Sequence, residues 1–398
     1  MADKKAPRGA ANQGFVADGF EPLAEAFESL QQDGLDDGAS LAVYREGRAV
    51  LDLWGGVDPD DGTPWQQNSV TVGFSTTKAA ATICLLRLVE RGLVDLDAPV
   101  ARYWPEFAAA GKSEITVSQV LRHLSALPYL EGPFEEFLEP GAAEARLAAQ
   151  APSYPPNTSF IYHPVTFGTM VGEIVRRVSG QSIGDFFAAE VAGPLGLEFW
   201  LGFPEQEDHR FLPSTYRDTP DFPEIPDSAW AQLPADTVAE LRSMHMEPLP
   251  PSSAEADFNQ RAFRAAQLAG ASGVTNGRAL ARMFAALLTE VNGMRLLSAE
   301  TVAQAGSLQT AGVHAPLLPD GNAQPDPRWG FGFHLDSPGQ PMLGEGSFGH
   351  AGMGGRLGFA HPESGITFGY VSQRMNLDLS PEPDERMARL IEGLRGSL

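Results

Sequence analysis

The sequence predicts an α/β fold: an antiparallel sheet flanked by helices, with a mostly helical region inserted between its two halves. Two observations carry this. Strand-like runs lie near both ends of the chain and not in its middle. Neighbouring runs are joined by short turns, the pattern of antiparallel hairpins and not of regular βαβ alternation in a parallel sheet. The length, 398 residues, exceeds the ~250 that a single domain reaches. The expected division is therefore an α/β domain from 1–100 and 271–398, with an inserted helical domain at 101–270.

Each element has a local reason. Residues 1 to about 20 read as a loose leader. They carry charge with no apolar stretch behind it, so no signal peptide is expected. Phe20 to Gln32 has helical apolar spacing. Leu41–Tyr44 and Ala49–Trp54 read as strands around the turn Arg45-Glu46-Gly47-Arg48. Val70–Phe74 is strand-like, and Thr77–Arg91 reads as a helix stopped by Gly92. That helix is apolar on nearly all sides, so it belongs in the centre of the molecule.

From about 100 to 270, proline-rich loops separate helical stretches. The loops are PSYPPN, TPDFPEIPD and EPLPPSS; the helices are Val165–Val178, Ile183–Val191 and Phe258–Leu268. Loops of that length are expected to cover a cleft. Gly277–Val291 is a further helix. Strands return at 329–335, 355–361 and 365–372, the last two joined by Pro362-Glu363-Ser364, and Asp384–Leu394 closes as a helix.

Composition narrows the function. Lys and Arg number 28 against 51 Asp and Glu, a net charge of −23. Such a body repels phosphate backbones, so nucleic acid is not an expected partner. The most apolar stretch, Ala79–Val89, is interrupted by Arg87 and is too short to span a bilayer. With one cysteine, Cys84, no intrachain disulfide can form. A cytoplasmic protein acting on a small molecule is the expectation, with no metal or organic cofactor. The acidic turn Asp58–Pro64 lacks the later glutamate of a calcium loop. The histidines show no metal-site spacing.

Only four residues are lysines: Lys4, Lys5, Lys78 and Lys112. Lys78 lies in the buried helix, one turn after Ser75 in the run GFSTTK. Serine is a weak nucleophile without a base. A buried lysine can serve as one, because burial lowers its pKa, whereas arginine stays protonated. The same spacing also describes a capping serine followed by a snorkelling lysine. The scarcity of lysine and the apolar helix favour the chemical reading.

The segment VGFSTTKAAATICLLRLVERGLVDLDAPVARYWPEF, with ITVSQVLRHLSALP after it, resembles the serine β-lactamase/penicillin-binding-protein superfamily. It is most similar to the esterase branch known as family VIII carboxylesterases. The resemblance runs from about residue 15 to 396 and implies a β-lactamase-like fold. It makes Ser75 of S-x-x-K the acylated nucleophile. It places the tyrosine of the second motif at Tyr162 in FIYHPVTFG, as a proton shuttle whose phenol, beside an ammonium, is expected to titrate low. It places the third motif at His350-Ala351-Gly352 in GHAGMGG, lining the substrate site. It implies an oxyanion hole from the backbone N–H groups of Ser75 and Met353.

Two departures bear on substrate. Pro164 stands where the second motif keeps an asparagine that grips an amide. His350 stands where β-lactamases keep a lysine, and a histidine near its usual pKa is mostly neutral at pH 7.5. Both point to uncharged esters of small or medium acyl groups. A β-lactamase, a D-amino-acid peptidase, a cyclic-amide hydrolase or an acyltransferase would use the same machinery, and a catalytically silent binding protein would keep only its scaffold.

Three other features read as structural. Gly180-Gln181-Ser182-Ile183-Gly184 matches G-x-S-x-G, but a helix and not a strand precedes it, so Ser182 is expected to cap a helix. His123 is expected to be a hydrogen-bonded structural histidine, and Cys84 an inert core residue.

Overall fold

Leu41 and Val43 project to one face of their strand, Ala42 and Tyr44 to the other, and all four are buried. A strand buried on both faces must lie inside a sheet that helices cover on both sides. The computed structural model, which describes residues 12–216, 233–244, 258–318, 322–376 and 383–398, has this arrangement. The first eleven residues of the expected leader and the loops TPDFPEIPD and EPLPPSS lie outside the described residues.

The strands are β1 (Gln13–Val16), β2 (Gly38–Arg45), β3 (Arg48–Gly56), β4 (Thr71–Val72), β5 (Thr215–Tyr216), β6 (Val274–Thr275), β7 (His334–Leu335), β8 (Phe348–Gly352), β9 (Arg356–His361), β10 (Ile366–Ser372) and β11 (Arg374–Met375). Seven of them form one antiparallel sheet in the order β1-β3-β2-β10-β9-β8-β7. The chain's two ends meet at its middle, where β10 pairs with β2. Glu46 and Gly47, both at positive φ, close the tight turn between β2 and β3.

Five longer helices matter here: α1 (Glu21–Gln32), α2 (Thr77–Glu90), α3 (Thr166–Ser179), α4 (Gly277–Leu288) and α5 (Glu385–Gly396). α1 and α5 cover one face. Leu23, Phe27, Leu390 and Leu394 pack there on Leu41, Val43, Phe359 and Phe368. α4 lies on the other face, against β2, β9 and β10. Behind it α2 runs through the larger core, with Ala79–Leu86 all buried. This is the β-lactamase-like architecture, and α2 has the central position that its apolar composition predicts.

Several expected elements differ locally. The end of the leader is an edge strand: residues 13–16 pair with β3. Such pairing uses main-chain groups and leaves little trace in side-chain pattern. Of the run 329–335 only His334–Leu335 is strand. Gly332 takes φ +71, and its N–H donates to Leu121 O at 2.9 Å, so the segment is held by the helical region instead of a ladder. The helix expected over 258–268 is interrupted: Phe258 is helical, residues 259–260 are not, helix resumes at Arg261–Ala265, and Ala266 is already extended. That early stop lets the chain turn back toward α2 at Gly270. The helix from Ile183 ends at Phe187 and continues as a wider π turn, Ala188–Ala192.

Candidate active site

Ser75 stands at the mouth of α2. A short 3₁₀ turn, Phe74–Thr76, leads into that helix. Phe74 takes φ +47, a conformation that costs a non-glycine residue energy and turns the chain sharply before the serine. Thr76 Oγ1 donates to Gly73 O at 2.9 Å and Thr77 Oγ1 to Phe74 O at 2.5 Å, so the neighbouring hydroxyls hold the turn. No side chain caps this helix start, and the Ser75 hydroxyl instead meets the Lys78 amine.

Lys78 follows one turn on and is fully buried. Its amine lies 3.0 Å from Ser75 Oγ and donates to Pro164 O at 2.6 Å and Gly270 O at 2.7 Å. Burial pushes its pKa well below the ordinary lysine value. In its unprotonated form such an amine has two N–H donors, which the two carbonyls can take, and one lone pair to receive the Ser75 proton. Lys112, further along the chain, has a plain structural role: it donates to Ala109 O and Ala148 O, each at 2.9 Å.

The carbonyl pair was not read from the sequence. Gly168 opens the space for it. A β-carbon there would stand 2.0 Å from Gly270 N, so only glycine lets α3 and the 270 turn close together over Lys78. The departure at Pro164 also takes a structural meaning, since its main-chain carbonyl is one of the two lysine acceptors.

Tyr162 reaches the same corner. Its hydroxyl hydrogen-bonds the Ser75 side chain, and Lys78 Nζ lies 4.9 Å from its ring centroid. The expectation of a low-titrating phenol is wrong. Burial of the phenol raises the Tyr162 pKa, and this desolvation outweighs the opposing hydrogen bond with Ser75. Tyr162 is therefore a phenol at working pH.

The third-motif segment forms the facing wall. His350, Ala351 and Gly352 end β8, and a β-carbon on Gly352 would come within 2.3 Å of Gly73 O, so this strand end runs directly against the serine turn. Met353 follows in the turn to β9. His350 is buried, and burial drives its pKa well below the usual histidine value. It is neutral more firmly than its ordinary pKa implied. Its Nδ1 lies 2.6 Å from Ala351 O, and its ring meets Tyr162 and Trp329 at centroid distances of 6.2 and 5.5 Å.

Trp329 was also not singled out from the sequence. It stacks on His334 at 4.2 Å and lies 5.6 Å from the Tyr162 ring. A motif search has no reason to stop at a lone tryptophan. His123 is closer to the site than a remote structural residue: its ring is 4.8 Å from Tyr162. It nevertheless acts within the scaffold, accepting at Nδ1 from His163 N at 3.0 Å. Cys84 is buried, and burial raises its thiol pKa, so it carries no thiolate. Among the described residues no group of histidine, cysteine, aspartate and glutamate is placed to hold a metal.

A sheet of this order with a serine–lysine–tyrosine corner at the mouth of its central helix defines the class of penicillin-recognising serine enzymes. The comparisons agree: the Beta-lactamase family matches residues 23–392, and the chain belongs to that family. An esterase/beta-lactamase, LipL, of Mycobacterium tuberculosis is 33% identical over 372 residues, covering 91% of this chain and 82% of the relative. The esterase EstB of Burkholderia gladioli is 29% identical over 225 residues, 52% of this chain and 57% of its own. A crystal structure of a family VIII carboxylesterase superposes with TM-score 0.83 at 33% identity, over 98% of this chain and all of that one. Among the described residues no helix is long and apolar enough to cross a membrane.

Proposed function

We propose that the chain is a serine carboxylesterase that cleaves uncharged esters of small or medium acyl groups through a Ser75 acyl-enzyme. One observation carries this reading: the buried Lys78 amine, held by Pro164 O and Gly270 O, lies 3.0 Å from Ser75 Oγ. Lys78 takes the Ser75 proton as Oγ bonds to the ester carbonyl carbon. The carbonyl oxygen gains the charge and is held by the N–H groups of Ser75 and Met353. The C–O bond to the alcohol then breaks, and the alkoxide needs a proton. Tyr162 is too basic to work as a phenolate, so it passes its proton to the leaving oxygen as it receives one from the Lys78 ammonium. Water repeats the sequence on the acyl-enzyme and restores Ser75.

The neutral surroundings of this corner set the substrate class. His350 adds no cation for a carboxylate, and Pro164 has no side-chain donor or acceptor for an acylamino group. The net charge of −23 adds a field unfavourable to anions, screened beyond about 8–10 Å by salt. The name of the M. tuberculosis relative couples esterase with β-lactamase activity. These three features favour the ester side for this chain. The expected location is the cytoplasm, where the single buried cysteine stays reduced.

The test is kcat/KM for p-nitrophenyl butyrate against a chromogenic cephalosporin at one pH and salt concentration. The ester is expected to be the better substrate; a faster cephalosporin overturns the assignment. Labelling of Ser75, and not of Ser182, by a fluorophosphonate is expected in the same protein.

A further inference from the structure

The turn after the third motif, Met353-Gly354-Gly355, is wrapped around two buried guanidinium groups. Arg356, the first residue of β9, is 1% exposed. Its Nη1 donates back to Met353 O at 3.3 Å and to Gly354 O at 3.2 Å. Its Nη2 donates to Ser214 Oγ at 3.0 Å. Arg386 of α5, held by Asp384, donates from Nη2 to the same Gly354 O at 2.7 Å. The two glycines are needed for this closeness. A β-carbon on Gly354 would stand 2.4 Å from Arg356 Nη1, and one on Gly355 2.2 Å from Arg386 Nη2.

The Arg356 guanidinium also reaches the other side of the cleft. It lies 5.1 Å from the centroid of the Phe74 ring, an attractive cation–π distance. Phe74 is the residue at φ +47 that sets the direction of the Ser75 N–H. One buried cation thus touches both turns that carry the oxyanion donors. It pulls the Met353 and Gly354 carbonyls inward on one side and holds the strained Phe74 on the other.

We propose that Arg356 is a positioning residue for the oxyanion hole, fixing the Met353 turn relative to the Phe74–Ser75 turn, with Arg386 as its support at Gly354 O. This rests on the reading of Ser75 as nucleophile and of the Met353 N–H as an oxyanion donor. Backbone donors work only when held in place before the charge develops. A displacement of about 1 Å is enough to cost on the order of 100-fold in rate.

The experiment compares p-nitrophenyl butyrate with its thiono analogue, in which sulfur replaces the carbonyl oxygen. Sulfur is a weak hydrogen-bond acceptor, so the oxygen-to-sulfur rate ratio reports the oxyanion hole itself. The parent, Arg356→Lys and Arg356→Gln are assayed together with their melting temperatures. In Arg356→Gln, kcat for the ester is expected to fall at least about 10-fold with KM within about threefold, by analogy with the loss of an oxyanion donor. The oxygen-to-sulfur ratio is expected to fall with it, and Arg356→Lys to recover part of both. Equal losses on the two substrates, with the ratio unchanged, overturn the role and leave Arg356 a purely structural cation. If the glutamine variant does not fold, the ratio in Arg356→Lys decides in the same way. A parent ratio near one overturns the oxyanion hole at Met353 and this proposal with it. Activity surviving in Ser75→Ala overturns the nucleophile instead, and is seen separately.

Discussion

Ser75 and Ser182 both stand where a helix begins, and their surroundings could hardly differ more. Ser182 caps its helix in the ordinary way. It is extended at ψ 156, accepts from Asp185 N at 3.1 Å and donates to Asp185 Oδ2 at 2.7 Å, at the protein surface. Its hydroxyl is used up by its own helix. Ser75 sits after a residue forced to φ +47, makes no cap, and meets an amine and a phenol from elsewhere. Ser182 has the five-residue pattern usually associated with a nucleophile; Ser75 has a looser one. Reactivity follows what tertiary neighbours leave for the hydroxyl to do.

The comparison can be broken most directly at the two hydroxyls. Ser75→Ala is expected to remove ester hydrolysis by at least about 10⁴-fold, since no covalent route remains. Retained turnover there, with loss in Ser182→Ala, would reverse the assignment of the two serines.

Next in size is the base. Lys78→Arg keeps a charge but supplies no group that can lose a proton, so a kcat loss of about 10²–10⁴-fold is expected with the fold retained by circular dichroism. More than about a tenth of parental kcat would show that Lys78 acts as a cation and not as a base.

Gly168→Ala tests the carbonyl pair without touching any reacting group. Its new methyl meets Gly270 N, the turn must move, and an activity loss on the order of 100-fold is expected. Parental activity in a folded variant would show that the Gly270 carbonyl is dispensable.

The pH profile sharpens the contrast further. With Lys78 as the proposed base, the free amine is the working form, and its pKa is depressed well below the ordinary lysine value. kcat/KM is therefore expected to be level above that depressed pKa and to fall as the pH drops through it. Burial lowers the pKa of His350 likewise, and holds His334 at about 4 and His163 at about 3, so no inflection belonging to a histidine is expected near pH 6.5. Such an inflection that vanished in His350→Gln would contradict the neutral wall. The smallest effect belongs to Ser182→Ala: a loss of about 0.5–2 kcal/mol in stability by denaturant unfolding, with parental kcat.

Much of this was legible in the chain. The apolar run Leu41–Tyr44, the all-round apolar helix after Ser75 and the hairpin at 362–364 reflect local propensity and burial, which sequence reports well. The serine–lysine spacing was visible because one helical turn converts it into proximity. The edge strand 13–16 was not, because main-chain pairing leaves no side-chain signature. The early end of the helix at Ala265 was not either, because the chain leaves it to meet a lysine 192 residues away.

By itself, then, the sequence determined an antiparallel sheet between helices, a central apolar helix with Ser75 and Lys78 on one side, and the chemical types available to the site. Only the tertiary structure decided their states. It buried Lys78 under two carbonyls from separate loops, which pushes the amine toward its neutral form. It desolvated Tyr162 and His350, so the phenol keeps its proton and the imidazole carries no charge. Protonation depends on how much water and charge surround a group, and those are set by residues distant in the chain that meet only on folding.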